Sequence, residues 1–353
     1  MNNDPFSVIE SPPPQFTPAE AVRICREFYG MIVDAAALVS ERDQNFCLRG
    51  ERGQTHILKI ANALEDPLAT EFQICALQHI AAQAASGIAV PEVMPALDGA
   101  SQVILDKAGA SHVARVVSWL PGAPLDESEL APATCKELGG WLARLDRMLA
   151  GFSHAGENQV LLWDMKRALE LRRLLPHVGE PATRTLLSDT LDDFESRALP
   201  AFDSLRWQVI HNDANPDNVL AGPGGRIAGI IDFGDMLRSP LVVEVAVAAA
   251  YLRVLEGNPL ALITELLAGY HAVNPLTRGE VDVLHELIKT RLATTVLILA
   301  WRASIRGAQD AYLKAAAAAE GSALSFLERL AEIPSTNARP IYSQVCASVE
   351  RRP

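Results

Sequence analysis

The spacing of hydrophobic residues changes character about one third of the way along the chain. In the first third, short apolar or alternating runs predict β-strands over residues 36–39, 45–48, 55–60, 102–105 and 114–120. Beyond residue 130, apolar residues recur every three or four positions, which is the period of a helix. The predicted helices span residues 133–151, 160–177, 181–197, 240–256, 259–271, 278–306 and 309–332. The pattern predicts an α+β protein with a strand-rich N-terminal part and a mostly helical C-terminal part.

Two helices are also predicted within the strand-rich part. The capping box Thr17-Pro18-Ala19-Glu20 has proline at the first helical position and predicts a helix that runs to about Tyr29. Asp66 followed by Pro67 predicts a second helix start, and apolar residues follow it at helical spacing. Residues 1–16, which include three consecutive prolines, are expected to form a mobile or surface-bound arm.

The helical part begins after a clear break in the pattern. Pro121-Gly122-Ala123-Pro124 ends the last strand predicted in the N-terminal part. A chain of 353 residues is long enough for two lobes with separate apolar cores. We therefore expect an N-terminal lobe over residues 1–117 and a C-terminal lobe over residues 118–353, with a hinge at about 117–122.

Composition and charge narrow the class of protein. With 49% hydrophobic and 21% charged residues, the chain is typical of globular proteins. A net charge of −12 argues against nucleic acid or an anionic membrane as the main partner, because both attract basic surfaces. The five cysteines are scattered without a C-x-x-C spacing, so neither a disulfide framework nor a zinc site is indicated. No signal-peptide pattern and no bilayer-length apolar run is present, which favours a cytoplasmic location.

The most specific spacing of polar residues lies between positions 209 and 235. An apolar pair, residues 209–210, predicts a short buried strand that delivers Asp213 onto a polar loop. Asp213 and Asn218 form the D-x-x-x-x-N of kinase catalytic loops, in which the aspartate receives the acceptor hydroxyl's proton and the asparagine holds Mg²⁺. Asp232, within Asp-Phe-Gly, matches a second metal-binding element of that chemistry. Taken singly, each residue also fits an ordinary loop near a turn.

A hairpin is predicted to bring the two metal-binding residues together. Residues 218–221 and 226–231 read as strands joined by a turn-rich run that includes Gly224 and Gly225. With the turn centred there, Asn218 faces Asp232, and directly opposed residues lie about 5 Å apart. One metal site can then draw on both side chains. His211 is expected to pack and to hydrogen-bond the backbone.

The amino-acid sequence of this stretch resembles that of a known family. HNDANPDNVL (residues 211–220) and GIIDFGDMLRSPLVVEVAVAAAYL (residues 229–252) are similar to the aminoglycoside phosphotransferase and choline kinase family of small-molecule kinases, and most similar to its hydroxylysine kinase group. The resemblance is strong over residues 205–255, weaker over 37–122 and slight elsewhere. It implies a bilobal, protein-kinase-like fold, with an antiparallel sheet plus helix in a nucleotide-binding N-terminal lobe and a helix carrying Glu244.

The resemblance also points to phosphate-binding residues in the N-terminal lobe. Lys59 lies on a predicted strand, and a pair with Glu71 of the following helix would aim its ammonium group at the α and β phosphates. The alternative is a surface lysine and a solvated glutamate. No G-x-G-x-x-G is present, so backbone N–H groups near Asp43, Gln44 and Asn45 are expected to approach the phosphates, unless this loop is an ordinary hairpin turn.

Nucleotide base and acceptor are expected to bind at two further places. Extended backbone at Val117, Ser118 and Trp119 is expected to hydrogen-bond a purine, while the Trp119 ring either packs at the hinge or covers the base. The acceptor is expected between Asp213 and the C-terminal helices, where acidic groups suit an ammonium group and arginines suit a carboxylate. No spacing ranks the candidates, which are Trp163, Asp164, Asp217, Asp235, Arg238, Arg291, Trp301 and Arg302.

Together these features predict a phosphotransferase with an alcohol group as acceptor. ATP or GTP is the expected co-substrate, Mg²⁺ the cofactor and Asp213 the base, with a small cationic or zwitterionic alcohol such as hydroxylysine as acceptor. Homoserine, choline, ethanolamine and aminoglycosides are alternative acceptors. A nucleotide-binding scaffold without turnover is the alternative from a different class. Protein substrates are disfavoured because the sequence lacks A-P-E and has no arginine before Asp213.

Overall fold

The computed structural model describes residues 6, 11, 13–40, 42–83, 87–125, 130–306 and 311–351. Clustering of contacts divides them into two units. The first holds the described residues within Met1–Ala85, Ala89–Pro121 and His154–Val160. The second holds those within Ser86–Ile88, Gly122–Ser153 and Leu161–Pro353. The change of unit at Pro121 lies within the predicted hinge, and the arm residues 1–5, 7–10 and 12 lie outside the described part.

The first unit is a six-stranded antiparallel sheet with two helices. Strands β1, β2, β3, β6 and β4 lie in that order, and β5 pairs with β6. The helices and strands, in chain order, are α1 (Pro18–Tyr29), β1 (Val33–Leu38), β2 (Gln44–Gly50), β3 (Thr55–Ile60), α2 (Pro67–Ala81), β4 (Val93–Met94), β5 (Val103–Lys107) and β6 (Ala110–Ser118). The predicted capping box of α1 is present, with Thr17 and Glu20 bonded reciprocally.

The two faces of this sheet differ in polarity because successive side chains point to opposite sides. Phe46, Leu58 and Val116 lie opposite one another across β2, β3 and β6 and are fully buried in a core shared with α1. The next row along, on the other face, consists of Asn45, Lys59 and Arg115. The Arg115 guanidinium donates to Gln73 and Thr70 of α2, so this polar face packs against α2.

The second unit is mostly helical. Its strands form a three-stranded sheet of order β10-β9-β7 and a two-stranded sheet of β11 and β8. The strands are β7 (Ala123–Pro124), β8 (Trp207–Ile210), β9 (Val219–Ala221), β10 (Ile227–Ile230) and β11 (Leu237–Pro240). The α-helices are α3 (Pro132–Leu149), α4 (Pro181–Asp193), α5 (Val242–Ala249), α6 (Ala261–Val273), α7 (Arg278–Arg306), α8 (Ala311–Ala331) and α9 (Ser335–Glu350). No helix in the described part is both long and apolar enough to cross a membrane.

Two predicted helices need correction, and a third helix was missed. The helix expected over 160–177 is a 3₁₀-helix, Met165–His177, because apolar spacings of three and four do not separate the two helix types. The helix expected over 240–256 is shorter, since Leu237–Pro240 pairs as a strand with Trp207–Ile210 and α5 ends at Ala249. Helix α9 was not predicted, and Pro340 inside it obscures its pattern.

Candidate active site

The loop that carries Asp213 begins at the end of a buried strand, as the sequence predicts. Val209 and Ile210 end β8 and are fully buried, and β8 is held in place by β11. The chain then turns at Asn212, whose φ of 64° lies in the left-handed region that asparagine tolerates better than most residues. The Asn212 N–H donates to Glu244 Oε2 at 3.0 Å, and its side-chain nitrogen donates to the Asp235 carbonyl at 3.2 Å. This turn is therefore fixed to both α5 and the segment after Asp232.

His211 has the packing role predicted for it. Its Nδ1 accepts from the Asp213 N–H at 3.2 Å, so its Nε2 carries the proton and donates to the Ile231 carbonyl at 3.1 Å. The ring also meets Phe233 edge-on, with 4.7 Å between ring centroids. The histidine joins the loop of Asp213 to the Asp-Phe-Gly segment.

Asp213 and Asn218 are in direct contact. The Asn218 side-chain nitrogen donates to Asp213 Oδ2 at 2.6 Å and to the Asp213 carbonyl at 3.0 Å. Asn215, between them, donates to Asp213 Oδ1 at 3.0 Å and accepts from the Asn218 N–H at 3.1 Å. The four-residue spacing thus closes a small hydrogen-bonded ring that orients the aspartate.

The predicted pairing of Asn218 with Asp232 is wrong by one residue. An irregularity between Ile227 and Gly229 shifts the register of the hairpin, and Asn218 lies opposite Ile231, whose N–H donates to its carbonyl at 2.9 Å. Asp232 follows with a φ of 59° and leaves the ladder. It is one residue beyond the residue that lies opposite Asn218, so a metal site shared by these two side chains stays a prediction.

The oxygen atoms of Asn218 and Asp232 suit Mg²⁺, which prefers hard oxygen ligands and retains several waters. The Asn218 nitrogen is committed to Asp213, which leaves its amide oxygen for a metal. Asp232 is exposed, and one of its oxygens accepts from the Gly234 N–H at 3.3 Å. Among the described residues, no three His, Cys, Asp or Glu side chains form a metal-binding group, so a site here rests on this amide–carboxylate pair.

An arginine from a distant part of the chain also reaches Asp213. Arg291, fully buried on α7, lies with Nη2 3.5 Å from Asp213 Oδ1 and 3.5 Å from the Tyr251 hydroxyl. Its guanidinium lies over the Trp163 ring, 4.6 Å from the centroid, and Nη1 donates to the Trp163 carbonyl at 3.3 Å. Sequence reasoning named Arg291 and Trp163 without ranking them, and missed Tyr251, for which no local pattern exists.

Burial and nearby negative charge raise the pKa of Asp213. Burial is the larger cause, followed by the charge of Asp235, while the Arg291 cation acts in the opposite direction. Burial also raises the pKa of Glu244 to about 7, against hydrogen bonds from the backbone of Asn212 and His211. A base with a raised pKa accepts a proton more readily, which suits Asp213 to general-base work.

In the first unit, Glu71 is exposed, whereas a position beside the buried face of α2 was expected. Its side chain is 54% exposed, and its carboxylate lies 3.9 Å from Nε2 of His154. A carboxylate that sequence reasoning missed, Glu65, is partly buried just before α2. Burial and the charge of Asp43 raise the pKa of Glu65 to about 7, and Arg42, Arg115 and Lys59 oppose that rise. The pairing of Lys59 with Glu71 stays a prediction, with Glu65 as a second anionic neighbour of the lysine.

The loop between β1 and β2 lies where the sequence places it. Buried Oδ1 atoms of Asp43 and Asn45 have no hydrogen-bond partner among the described residues. The Gln44 side chain is bonded at both ends to the Phe16 backbone, at 2.7 Å each. The predicted approach of backbone N–H groups near these residues to phosphate stays a prediction. Asn45 lies opposite both Leu38 and Lys59 within the sheet.

In the segment whose extended backbone is predicted to hydrogen-bond a purine, two N–H groups are already engaged within the protein. Ser118 N–H donates to the Glu92 carbonyl at 2.8 Å, and Trp119 N–H donates to the Thr55 carbonyl at 3.2 Å. Val117 pairs with Ile57 of β3. Hydrogen bonds from this segment to a purine therefore stay a prediction. The Trp119 side chain is 46% exposed, which disfavours packing at the hinge.

The other acceptor candidates are dispersed. Asp164 is buried and caps the 3₁₀-helix by accepting from the Lys166 N–H at 3.0 Å, with the Lys166 ammonium 3.4 Å away. Asp217 is exposed, and Asp235 is buried close enough to influence Asp213. Arg238 lies on β11, while Trp301 and Arg302 are buried near the end of α7.

An antiparallel sheet with a helix, a mostly helical second unit and an Asp–Asn loop next to Asp-Phe-Gly define a kinase-like fold and site. The chain belongs to the phosphotransferase enzyme family, whose sequence profile matches residues 35–280. It is 26% identical to hydroxylysine kinase of Mus musculus, over 85% of this chain and 86% of the relative. It is 29% identical to homoserine kinase of Azorhizobium caulinodans, over 66% and 69% respectively. The fold matches that of the microcompartment-associated aminopropanol kinase, with a TM-score of 0.68, 19% identity, and coverage of 92% of this chain and 99% of that chain.

Proposed function

We propose that this chain transfers the γ-phosphoryl group of ATP or GTP to a hydroxyl group of a small amino alcohol or hydroxy amino acid. The observation that carries the proposal is the set of Asp213, Asn218 and Arg291, in which a partly buried carboxylate is oriented by an amide and a cation. Membership of the phosphotransferase family and the similarity to hydroxylysine kinase support it. Hydroxylysine is the first candidate acceptor.

Each proposed residue has one task. Asp213 accepts the proton of the acceptor hydroxyl as that oxygen attacks the γ-phosphorus. Asn218 and Asp232 would hold Mg²⁺, which when bound neutralises charge on the phosphates. In the first unit, Lys59 would pair with phosphates of the nucleotide, and backbone N–H groups near Asp43 would be further donors to them. The protein's contribution is mainly to position groups and stabilise charge.

Homoserine is the second candidate acceptor, because the chain also resembles homoserine kinase over two thirds of its length. Hydroxylysine and homoserine are both zwitterionic amino acids with a free hydroxyl group. Choline, ethanolamine, aminopropanol and aminoglycosides lack the carboxylate. Comparing acceptors with and without a carboxylate would show whether the pocket recognises that group.

The test is a panel of these acceptors with Mg-ATP and Mg-GTP, monitored by nucleoside diphosphate release and by mass spectrometry of the phosphorylated product. We expect hydroxylysine to give the highest kcat/KM. Phosphorylation of another acceptor but not of hydroxylysine would exclude hydroxylysine as the acceptor and would still support kinase activity. Stabilisation by Mg-nucleotide with no product from any acceptor would favour a non-catalytic scaffold.

A further inference from the structure

Arg291 lies in a place that is costly for a cation. Its side chain is 1% exposed, and an isolated buried charge is strongly destabilising unless it is paired. Among the residues that the structure describes, Asp213 supplies the one carboxylate within 4 Å of the guanidinium. The arginine is therefore paired electrostatically with the proposed base.

The guanidinium is held rigidly from two further directions. Trp163 contributes its ring face at 4.6 Å and its carbonyl at 3.3 Å. Tyr251 contributes its hydroxyl at 3.5 Å. These two residues lie in segments outside α7, so the position of the Arg291 head group is fixed by packing as well as by its own helix.

Arg291 differs from the other groups that bind the Asp213 carboxylate. Asn215 and Asn218 belong to the same loop as Asp213 and move with it. Arg291 belongs to α7, a 29-residue helix that forms much of the core of the second unit. Its positive charge also acts on Asp213 in opposition to the negative charges of Asp232 and Asp235.

We propose that Arg291 is the positioning residue for the proposed base: it fixes the direction of the Asp213 carboxylate and acts through Asp213 rather than on the acceptor. This inference rests on the proposed function. A role in binding the acceptor's carboxylate is disfavoured, because the guanidinium is 1% exposed and is already in contact with Trp163, Tyr251 and Asp213.

The first test separates these roles by kinetics. The two acceptors compared are hydroxylysine and aminopropanol, which has no carboxylate. Arg291→Met should lower kcat about 100-fold for both, because the reacting carboxylate is misplaced. KM for acceptor and nucleotide should stay within about threefold of wild type. Arg291→Lys should recover part of the loss, since it restores the charge without the planar head group. A rise in KM confined to hydroxylysine would overturn the proposal.

Lys289→Met is the matched control. Lys289 lies two residues earlier on α7, is 7% exposed and pairs with Asp193 at 2.8 Å, away from Asp213. Its loss should lower stability and leave kcat unchanged. A second measurement does not depend on turnover: in crystal structures of the variants, the Asp213 carboxylate should be rotated or disordered in Arg291→Met and unchanged in Lys289→Met. An unchanged carboxylate in Arg291→Met would contradict the proposal, whereas an inactive wild type would contradict only the proposed function.

Discussion

The Asp213 carboxylate is surrounded by nitrogen donors that occupy both of its oxygens. Asn218 binds Oδ2, while Asn215 and Arg291 bind Oδ1. The donors orient the group, and burial keeps it a better proton acceptor than a solvated aspartate. Asn218 therefore has two proposed tasks. Its side-chain nitrogen orients the base, and its side-chain oxygen is left for the metal.

Replacing that asparagine tests both tasks. Asn218→Asp exchanges a donor for a carboxylate 2.6 Å from Asp213, where two like charges repel. We expect kcat to fall at least about 100-fold. We also expect the Mg²⁺ concentration for half-maximal activity to change, as measured by metal titration at saturating nucleotide. Wild-type kcat with an unchanged Mg²⁺ dependence would remove Asn218 from the site.

At the scale of elements, α5 is the anchor of the catalytic loop. Glu244 in its first turn is fully buried and accepts from the Asn212 N–H at 3.0 Å. The hydrogen bond holds the loop at the left-handed turn from which Asp213 emerges. A second buried acid, Asp146 of α3, accepts from the Tyr270 hydroxyl of α6, and burial together with the charge of Glu244 raises its pKa.

The buried Glu244 gives stability a predictable pH dependence. Its pKa is raised from 4.5 to about 7, so between these values the folded chain keeps a proton that the unfolded chain has lost. The free energy of unfolding therefore falls as pH rises through this window. Glu244→Gln keeps an acceptor for the Asn212 N–H and removes the titration. Urea unfolding at pH 5, 6, 7 and 8 should show a shallower decline in the variant than in wild type, and parallel declines would contradict the assignment.

Helices α3 and α6 approach so closely that only glycine fits between them. A Cβ on Gly139 would lie 2.0 Å from the Leu266 carbonyl oxygen, and one on Gly269 would lie 1.8 Å from that of Lys136. Backbone atoms cannot yield as a flexible side chain can, so overpacking here should cost about 3 kcal/mol or more.

The variant Gly139→Ala should accordingly lower the denaturant midpoint strongly. Gly321→Ala is the control, because its added methyl group on helix α8 meets no atom of the described residues within 4 Å. There alanine should be neutral or raise the free energy of unfolding by about 0.5–1 kcal/mol through helix propensity. Equal effects of the two substitutions would show that the close helix contact is not maintained in solution.

At the scale of the whole molecule, local sequence patterns predict most secondary-structure elements but not the contacts between residues distant in sequence. Periodicity and spacing predict five of the six strands of the first unit, the capping box at Thr17, the long helix α7 and the loop from Asp213 to Asn218. The hairpin shift was not predicted, because one extra residue near Ala228 leaves the alternation of the strands almost unchanged. The contact of Arg291 with Asp213 spans 78 residues, and no local pattern encodes such a distant contact.

The central claim concerns phosphoryl transfer that depends on Asp213. The most direct measurement is ³¹P NMR of hydroxylysine incubated with Mg-ATP or Mg-GTP and either the wild-type chain or Asp213→Asn. We expect wild type to form a phosphate ester at the hydroxyl group. The variant should form it about 1000-fold more slowly, within the range for loss of a general base, while the nucleotide still raises its melting temperature. A variant as fast as wild type would contradict the account, and so would a wild-type chain that forms no ester with hydroxylysine or any other alcohol in the panel.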